Sequence, residues 1–171
     1  MVDRPFAAVV SCHSIEHQPD LVRHLNQVRD ILQPGGQYFL IIPDKRFCFD
    51  QPIPESTIAD IIDAHIGKRS VHSIRSIVEH VALTTHNDPV RHWAGDHGTV
   101  AVLDRVIAIT PSLEGYKDAY LDVHAWQFTP DSLKVNIDLL NKAGFIDLEV
   151  ERVYNTPRPR LEFCAVLRKP S

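Results

Sequence analysis

Acidic and imidazole side chains stand directly after the two most apolar runs of this chain. The first run, residues 6–11, is followed within a few positions by Glu16 and His17, and the second, residues 37–42, is followed by Asp44. If both runs are parallel strands, their carboxyl ends meet at one edge of the sheet, where open α/β sheets bind their ligands. A carboxylate and an imidazole at that edge can take up and return a proton. The sequence therefore predicts Glu16, His17 and Asp44 as catalytic residues.

Two histidines farther along the chain are candidates for the same site. His80 lies in a predicted helix, and His124 lies in the segment 122–126. Each offers a ring nitrogen that can serve as a general base or as a hydrogen-bond donor. We predict that His124 is catalytic and that His80 binds the substrate. Lys45 and Arg46, which follow the second apolar run, are predicted to bind an anionic acceptor such as a sugar phosphate or a carboxylate.

Each of these residues also has a plain structural interpretation. Glu16 can belong to the first turn of a helix, Asp44 can form an ordinary ion pair with Arg46, and the histidines can be satisfied core or surface residues. Residues 92–97, His-Trp-Ala-Gly-Asp-His, are similar to the H-x-H-x-D-H zinc motif of metallo-β-lactamase-like hydrolases, but Ala94 stands in the place of the second histidine. No metal site is therefore predicted, and a histidine-rich metal hydrolase is kept as a third alternative.

The elements that must hold the first candidates have the pattern of a strand, a helix and a second strand. Residues 6–12 form a continuous apolar run, which is typical of a parallel strand covered on both faces. Pro19 and Asp20 suit the first turn of a helix with apolar residues at helical spacing. The Pro-Gly-Gly sequence at 34–36 is expected to end that helix, and residues 37–42 are expected to form the second buried strand.

The middle of the chain changes character. Residues 45–120 have mostly helical periodicity, interrupted by a polar and irregular stretch at 86–98, and we predict a helical insertion or lid. Three stripes at helical spacing are predicted: Ile58, Ile61, Ile62, His65 and Ile66; Ile74, Ile77, Val78 and Val81; Val102, Val106 and Ile107, with Ile109 as a further candidate.

The C-terminal part returns to an α/β pattern. Thr129 and Pro130 are typical of a helix start, with Thr as the N-cap and Pro at the first helical position. Residues 146–153 and 161–167 predict an antiparallel strand pair. The chain is thus predicted to be a single domain in three parts: a partial core at 1–44, the insertion at 45–120, and the C-terminal helix and strand pair at 121–171.

The polar crest at 11–17 and the turn at 32–36 resemble the class I S-adenosylmethionine-dependent methyltransferases of the type 11 sort. The resemblance covers the first 43 residues and roughly the last 45. It implies an α/β, Rossmann-like methyltransferase sheet that lacks its N-terminal strands and carries a helical insertion and a C-terminal antiparallel strand pair. In that family the sheet is mostly parallel and the last strand is reversed.

The resemblance also implies a function. Ser11, Cys12 and His13 would contact S-adenosylmethionine, and Glu16 and His17 would lie near the transferred methyl group. The rim sequence Pro-Asp-Lys-Arg at 43–46, with Phe47 and the Phe-Asp that follows, resembles proteins found near glycan-assembly genes. We therefore expect a methyltransferase that acts on a small-molecule or glycan-type acceptor.

The chain departs from the family at the cofactor loop. The glycine-rich G-x-G-x-G loop and the acidic ribose-binding residue are not in this sequence, and its seven glycines leave no candidate for such a loop. Residues 6–11 then form the edge of the sheet, and an apolar edge strand tends to pair with another chain. We expect a truncated methyltransferase, a homodimer through this edge, or an edge covered by the insertion. The alternative function is a non-catalytic methyltransferase-like remnant that acts as a binding or dimerisation module.

Composition narrows the class of protein. The chain is 44% hydrophobic and 23% charged, as is ordinary for a globular protein, and no apolar run reaches the roughly 20 residues of a membrane helix. The formal net charge of −4 does not indicate the excess of basic residues that is typical of nucleic-acid-binding proteins. Three scattered cysteines fit a reducing compartment. We expect a cytoplasmic protein without nucleic-acid or membrane partners.

Overall fold

The computed structural model describes residues 5–171 and contains a mixed four-stranded sheet. Its strands are β1 (Phe6–Cys12), β2 (Leu32–Pro43), β3 (Glu149–Tyr154) and β4 (Glu162–Arg168), in the spatial order β1-β2-β4-β3. β1 and β2 are parallel, and β4 is antiparallel to both of its neighbours. It follows that β3 runs in the direction of β1 and β2, and only the last strand of the chain is reversed. The predicted parallel unit and the predicted antiparallel pair are both confirmed.

Six α-helices and three shorter helical turns complete the described fold. The α-helices are α1 (Leu21–Ile31), α2 (Ile58–Ile66), α3 (Ile74–Val78), α4 (Pro89–Trp93), α5 (Val102–Ile109) and α6 (Pro130–Lys142). A π-helical turn, Glu79–Leu83, continues α3, and 3₁₀ turns occupy Ile15–His17 and Thr110–Tyr116. Within residues 5–171, no helix combines the length and the apolar character needed to cross a membrane.

The first helix begins and ends slightly differently from the prediction. Asp20 is the N-cap of α1, because its carboxylate accepts a hydrogen bond from the backbone N–H of Arg23, so Pro19 and Asp20 precede the first turn. The helix ends at Ile31, before the Pro-Gly-Gly sequence that was expected to end it. Those residues lie at the start of β2, where the pairing with β1 jumps from Phe6–Leu32 to Ala8–Gln37. They form an irregularity of the strand, and regular pairing begins at Gln37.

The hydrophobic core lies on one face of the sheet. Tyr38, Leu40 and Ile42 of β2 are buried, and their partners in β4 across the ladder, Leu167, Ala165 and Phe163, are buried with them. Helices α1, α2 and α6 contribute to the same core. Their buried residues include Leu21, Leu25, Ile61, Ala64, Leu133 and Ile137.

The prediction that β1 and β2 are covered on both faces is wrong. Val10 is 68% exposed and Phe39 is 36% exposed, so the second face is open at β1 and at part of β2. β1 stands at the edge of the described sheet, as predicted, and its residues are mostly exposed. The insertion therefore does not cover this edge.

The middle segment is helical as predicted, with two differences. The third apolar stripe does not enter the core, because none of the residues of α5 is buried and Val102 and Ile107 are 40% and 62% exposed. Helix α4 lies inside the stretch predicted to be irregular. Asp88 caps it and Pro89 occupies its first position, which is the same start signal that correctly predicted α6 at Thr129 and Pro130.

Candidate functional site

Glu16 and His17 lie just beyond the carboxyl end of β1. The chain leaves the strand at His13, whose backbone N–H bonds the carbonyl of Ile41 on β2 and whose φ is 47°. The 3₁₀ turn Ile15–His17 then places Glu16 inside the protein, where it is 1% exposed, and leaves His17 half-buried. Both residues therefore lie at the carboxyl edge of the sheet, where the sequence predicted them.

Backbone hydrogen bonds bring His124 to this turn from a distant part of the chain. The carbonyl of Glu16 accepts from the backbone N–H of Ala125 at 2.6 Å and from that of Trp126 at 3.3 Å. The indole Nε1 of Trp126 donates to the carbonyl of Gln18 at 2.6 Å. Since Trp126 is buried, these bonds fix the segment against the turn and place the neighbouring His124 beside His17.

Glu16, His17 and His124 form what we call the rim cluster. The rings of His17 and His124 meet edge to face, with their centroids 4.7 Å apart at 86°. One ligand atom from each of the three residues lies within 4.8 Å of the others. The structure therefore brings together three of the four predicted catalytic residues.

An aspartate stands behind each histidine of the rim cluster. Nδ1 of His17 lies 2.9 Å from Asp122, and Nδ1 of His124 lies 2.6 Å from the buried Asp50. A carboxylate at Nδ1 favours the tautomer in which that nitrogen carries the proton and Nε2 keeps its lone pair. Partial burial raises the pKa of Asp122, but the hydrogen bond from Tyr120 and the charge of His17 outweigh it, and the net pKa is lowered. Asp122 thus stays ionised behind His17.

The carboxylate of Glu16 has no hydrogen-bond partner on either oxygen. Its nearest basic neighbours are Nδ1 of His13 and Nε2 of His17, each 3.8 Å from Oε1. A buried carboxylate without partners is costly, and native proteins compensate such groups with donors or cations. Glu16 is therefore available to a hydrogen-bond donor or a positive charge that enters the cluster.

Two further histidines surround the cluster. His80 in the π-helical turn has its ring 5.8 Å from that of His124, and its Nδ1 lies 3.4 Å from the backbone N of His124. Burial, and secondarily the nearby His124, lower the pKa of His80. His72 is 3% exposed with both ring nitrogens unpartnered, and burial lowers its pKa to about 4. The predicted pairing of His80 with His124 is observed, and both outer histidines remain neutral near pH 7.

Asp44 is not a member of the rim cluster, and its carboxylate is occupied by other partners. It is fully buried, and its carboxylate accepts from the backbone N–H and the guanidinium of Arg46 and from the hydroxyl of Thr156. The Nζ of Lys45 donates to the carbonyl of Gln51, and burial lowers its pKa against the pull of nearby acids. These contacts account for the three residues structurally, and their predicted catalytic and substrate-binding roles stay predictions.

The residues predicted to contact a cofactor lie at and just after the carboxyl end of β1, and they differ in availability. The hydroxyl of Ser11 is hydrogen-bonded to Tyr38 at 2.7 Å, and Tyr38 in turn bonds His24. Cys12 is exposed, and Nε2 of His13 lies 3.4 Å from Glu162. Cofactor contact by Ser11, Cys12 and His13 stays a prediction.

The fit of these residues to S-adenosylmethionine is partial. Glu16 is an unpartnered carboxylate just beyond the carboxyl end of β1. None of the seven glycines lies in a loop that follows a strand: Gly35 and Gly36 lie in β2, Gly67 and Gly144 lie at helix ends, Gly95 and Gly98 follow α4, and Gly115 lies in the 3₁₀ turn Thr110–Tyr116. The described residues can therefore border the reactive end of such a cofactor, and they supply no glycine cradle for the rest.

A second group of histidines lies apart in sequence, at and around α4. Nδ1 of His92 lies 3.0 Å from Nδ1 of His97, and Nε2 of His92 lies 3.0 Å from the carbonyl of His86. Both ring nitrogens of His92 are thus used within the protein. These contacts hold together the segment around α4 and account for the three histidines structurally.

The sequence did not identify Asp50, Asp122 or His72 as residues of the site. Asp122 stands two positions before His124, and Asp50 is the last residue of the rim sequence that begins at Pro43. Both therefore lie close in sequence to predicted site residues. Pairing between residues 74 or 105 positions apart leaves no local signal. His72 offers no pattern at all, because its burial depends on packing against residues such as Tyr120.

A polar cleft is lined by residues that neighbour His124 and His80 in the sequence. It has a volume of about 210 Å³ and includes Ala125 and Trp126, which follow His124, and Glu79, which precedes His80. Its other polar side chains include Ser56, Asp60, Arg75 and Gln127.

Comparison with solved structures includes a distant likeness to a methyltransferase. No protein-family model and no curated protein sequence matches the chain. The fold is similar to the structure of the CcbJ methyltransferase from Streptomyces caelestis, with 9% sequence identity and a TM-score of 0.46. That likeness covers 100% of this chain and 60% of the other, so the chain spans less than two thirds of that protein's length.

Proposed function

We propose that this chain is the acceptor-binding part of an S-adenosylmethionine-dependent methyltransferase and that the rim cluster is where the acceptor reacts. The single observation that carries the proposal is the position of Glu16, His17 and His124 together beyond the carboxyl end of β1. That edge is where open α/β sheets bind ligands. The strand directions, parallel with a reversed last strand, agree with the family that the sequence resembles.

The chain's own residues can position an acceptor and hold its proton. With Asp50 accepting from Nδ1–H, Nε2 of His124 keeps a lone pair that can take the proton of an acceptor hydroxyl. Asp50 also stabilises the imidazolium that results. The free carboxylate of Glu16 can accept a hydrogen bond from the same or a neighbouring hydroxyl. The cofactor of this family supplies a methyl group carried on a sulfonium sulfur.

The polar cleft supports a hydroxylated acceptor. Its lining combines carboxylates, two guanidinium groups and an amide, a set of groups that suits the hydroxyls of a sugar. We therefore favour a glycan-type or similar polyhydroxylated small molecule over an apolar acceptor.

The direct test is transfer of a radiolabelled methyl group from S-adenosylmethionine to a panel of free sugars and sugar phosphates. We expect transfer by the native chain, and a loss of about 100-fold or more in His124→Gln. His97→Gln, which removes a histidine outside the site, is the matched control and is expected to keep the native rate. A folded native chain that labels no member of the panel and binds no S-adenosylhomocysteine would contradict the proposal.

The second candidate function is self-association through β1, and the exposed apolar edge favours it. Phe6 and Val10 are 47% and 68% exposed, and β1 carries no charged residue that would repel a second copy. Two copies of such an edge can pair and continue the sheet about a two-fold axis. We would measure the mass by light scattering over a range of concentrations. A dimer in the native chain and a monomer in Val10→Lys support this function, and a monomer at all concentrations contradicts it.

A further inference from the structure

We propose that the rim cluster is a divalent transition-metal site with Glu16, His17 and His124 as its ligands. Two imidazoles and one carboxylate are a ligand set of zinc and of non-haem iron sites that keep coordination positions open. The three ligand atoms lie within 4.8 Å of one another, and Nε2 of His17 is 3.8 Å from Oε1 of Glu16. Ligand distances of about 2.1 Å would bring tetrahedral ligand atoms to about 3.4 Å, so the side chains need to close by roughly 1 Å.

The state of Glu16 is the first independent observation in favour of the ion. Its carboxylate is 1% exposed and unpartnered on both oxygens. None of the described residues donates a hydrogen bond to this carboxylate. A cation bound between Oε1 and the two imidazoles would compensate its negative charge.

The aspartates behind the histidines are the second observation. Asp122 and Asp50 each lie at Nδ1, 2.9 and 2.6 Å away, so that Nε2 of each ring is the nitrogen left to bind an ion. Metal-bound histidines almost always carry such a carboxylate or carbonyl on the other nitrogen, which fixes the ring and raises its basicity. His92 and His97 provide the contrast, because their Nδ1 atoms face each other at 3.0 Å and no carboxylate orients them.

The open position of such a site would take an oxygen ligand. A bound ion lowers the pKa of a coordinated hydroxyl or water, so that the ion would replace His124 as the group that makes an acceptor oxygen nucleophilic. This action on an acceptor rests on the proposed function above. Binding of the ion does not, because it requires only the residues of the rim cluster.

The test uses the purified full chain, stripped with a chelator and titrated with Co²⁺ and Zn²⁺. We expect one ion per chain by equilibrium dialysis and a visible d–d absorption band for Co²⁺ that Zn²⁺ abolishes. Glu16→Gln and His124→Gln should each weaken binding by about 100-fold, and Asp122→Asn by about 10-fold through its effect on His17. His97→Gln is the matched control and should bind as the native chain does.

Two results would overturn the metal site. One is a native chain, folded by circular dichroism, that binds no Co²⁺ or Zn²⁺. The other is binding that survives Glu16→Gln and His124→Gln, or that is lost in His97→Gln. Glu16→Gln keeps the size of the side chain, so it tests the site even if His124→Gln does not fold. Metal binding without methyl transfer would refute the proposed function alone, and methyl transfer by a metal-free chain would refute only the role given to the ion in that reaction.

Discussion

Nδ1 of His124 and Oδ2 of Asp50 lie 2.6 Å apart although 74 residues separate them in the chain. Both side chains are buried, with exposures of 7% and 3%. The contact ties the segment after β2 to the segment before α6 and sets which nitrogen of His124 faces the rim cluster.

Loss of this contact should destabilise the fold. Asp50→Ala leaves a buried imidazole without its partner, and we expect the free energy of unfolding to fall by about 3 kcal/mol. Asp122→Ala is the control at the other histidine, and its exposed carboxylate should cost less than about 1 kcal/mol. Urea unfolding of the three proteins measures both values. Equal losses for the two variants would contradict the structural role given to Asp50.

His72 should make the stability of the chain depend on pH. Burial lowers its pKa from 6.5 to about 4, so the unfolded state binds more protons than the folded state between these values. The stability contributed by neutral His72 is therefore present above pH 6.5 and is lost as the pH falls toward 4, by up to about 3 kcal/mol. His72→Leu removes this titration and should flatten the profile, whereas His97→Gln should not. The measurement is urea unfolding at several pH values, and parallel profiles for His72→Leu and the native chain would refute the assignment.

Gly36 is predicted to tolerate no side chain. A Cβ on Gly36 would lie 2.9 Å from the carbonyl oxygen of Gln33 and 3.1 Å from that of Phe6, where β1 and β2 begin to pair. Gly36→Ala should lower the free energy of unfolding by about 1–3 kcal/mol. Gly115 has no atom within 4 Å of an added Cβ, and Gly115→Ala should change stability by less than about 1 kcal/mol. A Gly36→Ala chain as stable as the native one would show that the strands do not approach as described.

The order and type of the main elements could be predicted because their signals are local. The N-cap at Thr129 with Pro130 predicted α6, and the two C-terminal apolar runs predicted the β3–β4 pair. The burial of the elements could not be predicted in the same way. β1 has the sequence of a strand covered on both faces and is exposed in this fold, because burial depends on which other elements pack against it.

The same distinction applies to the site. Glu16 and His17 were predictable since the end of a strand implies a position at the sheet edge. The role of His124 was only a hypothesis, because the hydrogen bonds from Ala125 and Trp126 to Glu16 that place it are long-range backbone contacts. Asp50 and Asp122 act through ring nitrogens of distant histidines, and no spacing in the sequence marks such pairs.

The central claim is that the carboxyl edge beside the rim cluster belongs to a methyl-transfer site. Calorimetric titration of the folded 171-residue chain with S-adenosylhomocysteine tests it most directly. We predict saturable binding in the micromolar to submillimolar range, because the rim cluster would border the reactive end of the cofactor while no glycine cradle would hold the rest. A folded chain that releases no heat of binding at any accessible concentration would contradict the claim and favour the binding role of the β1 edge.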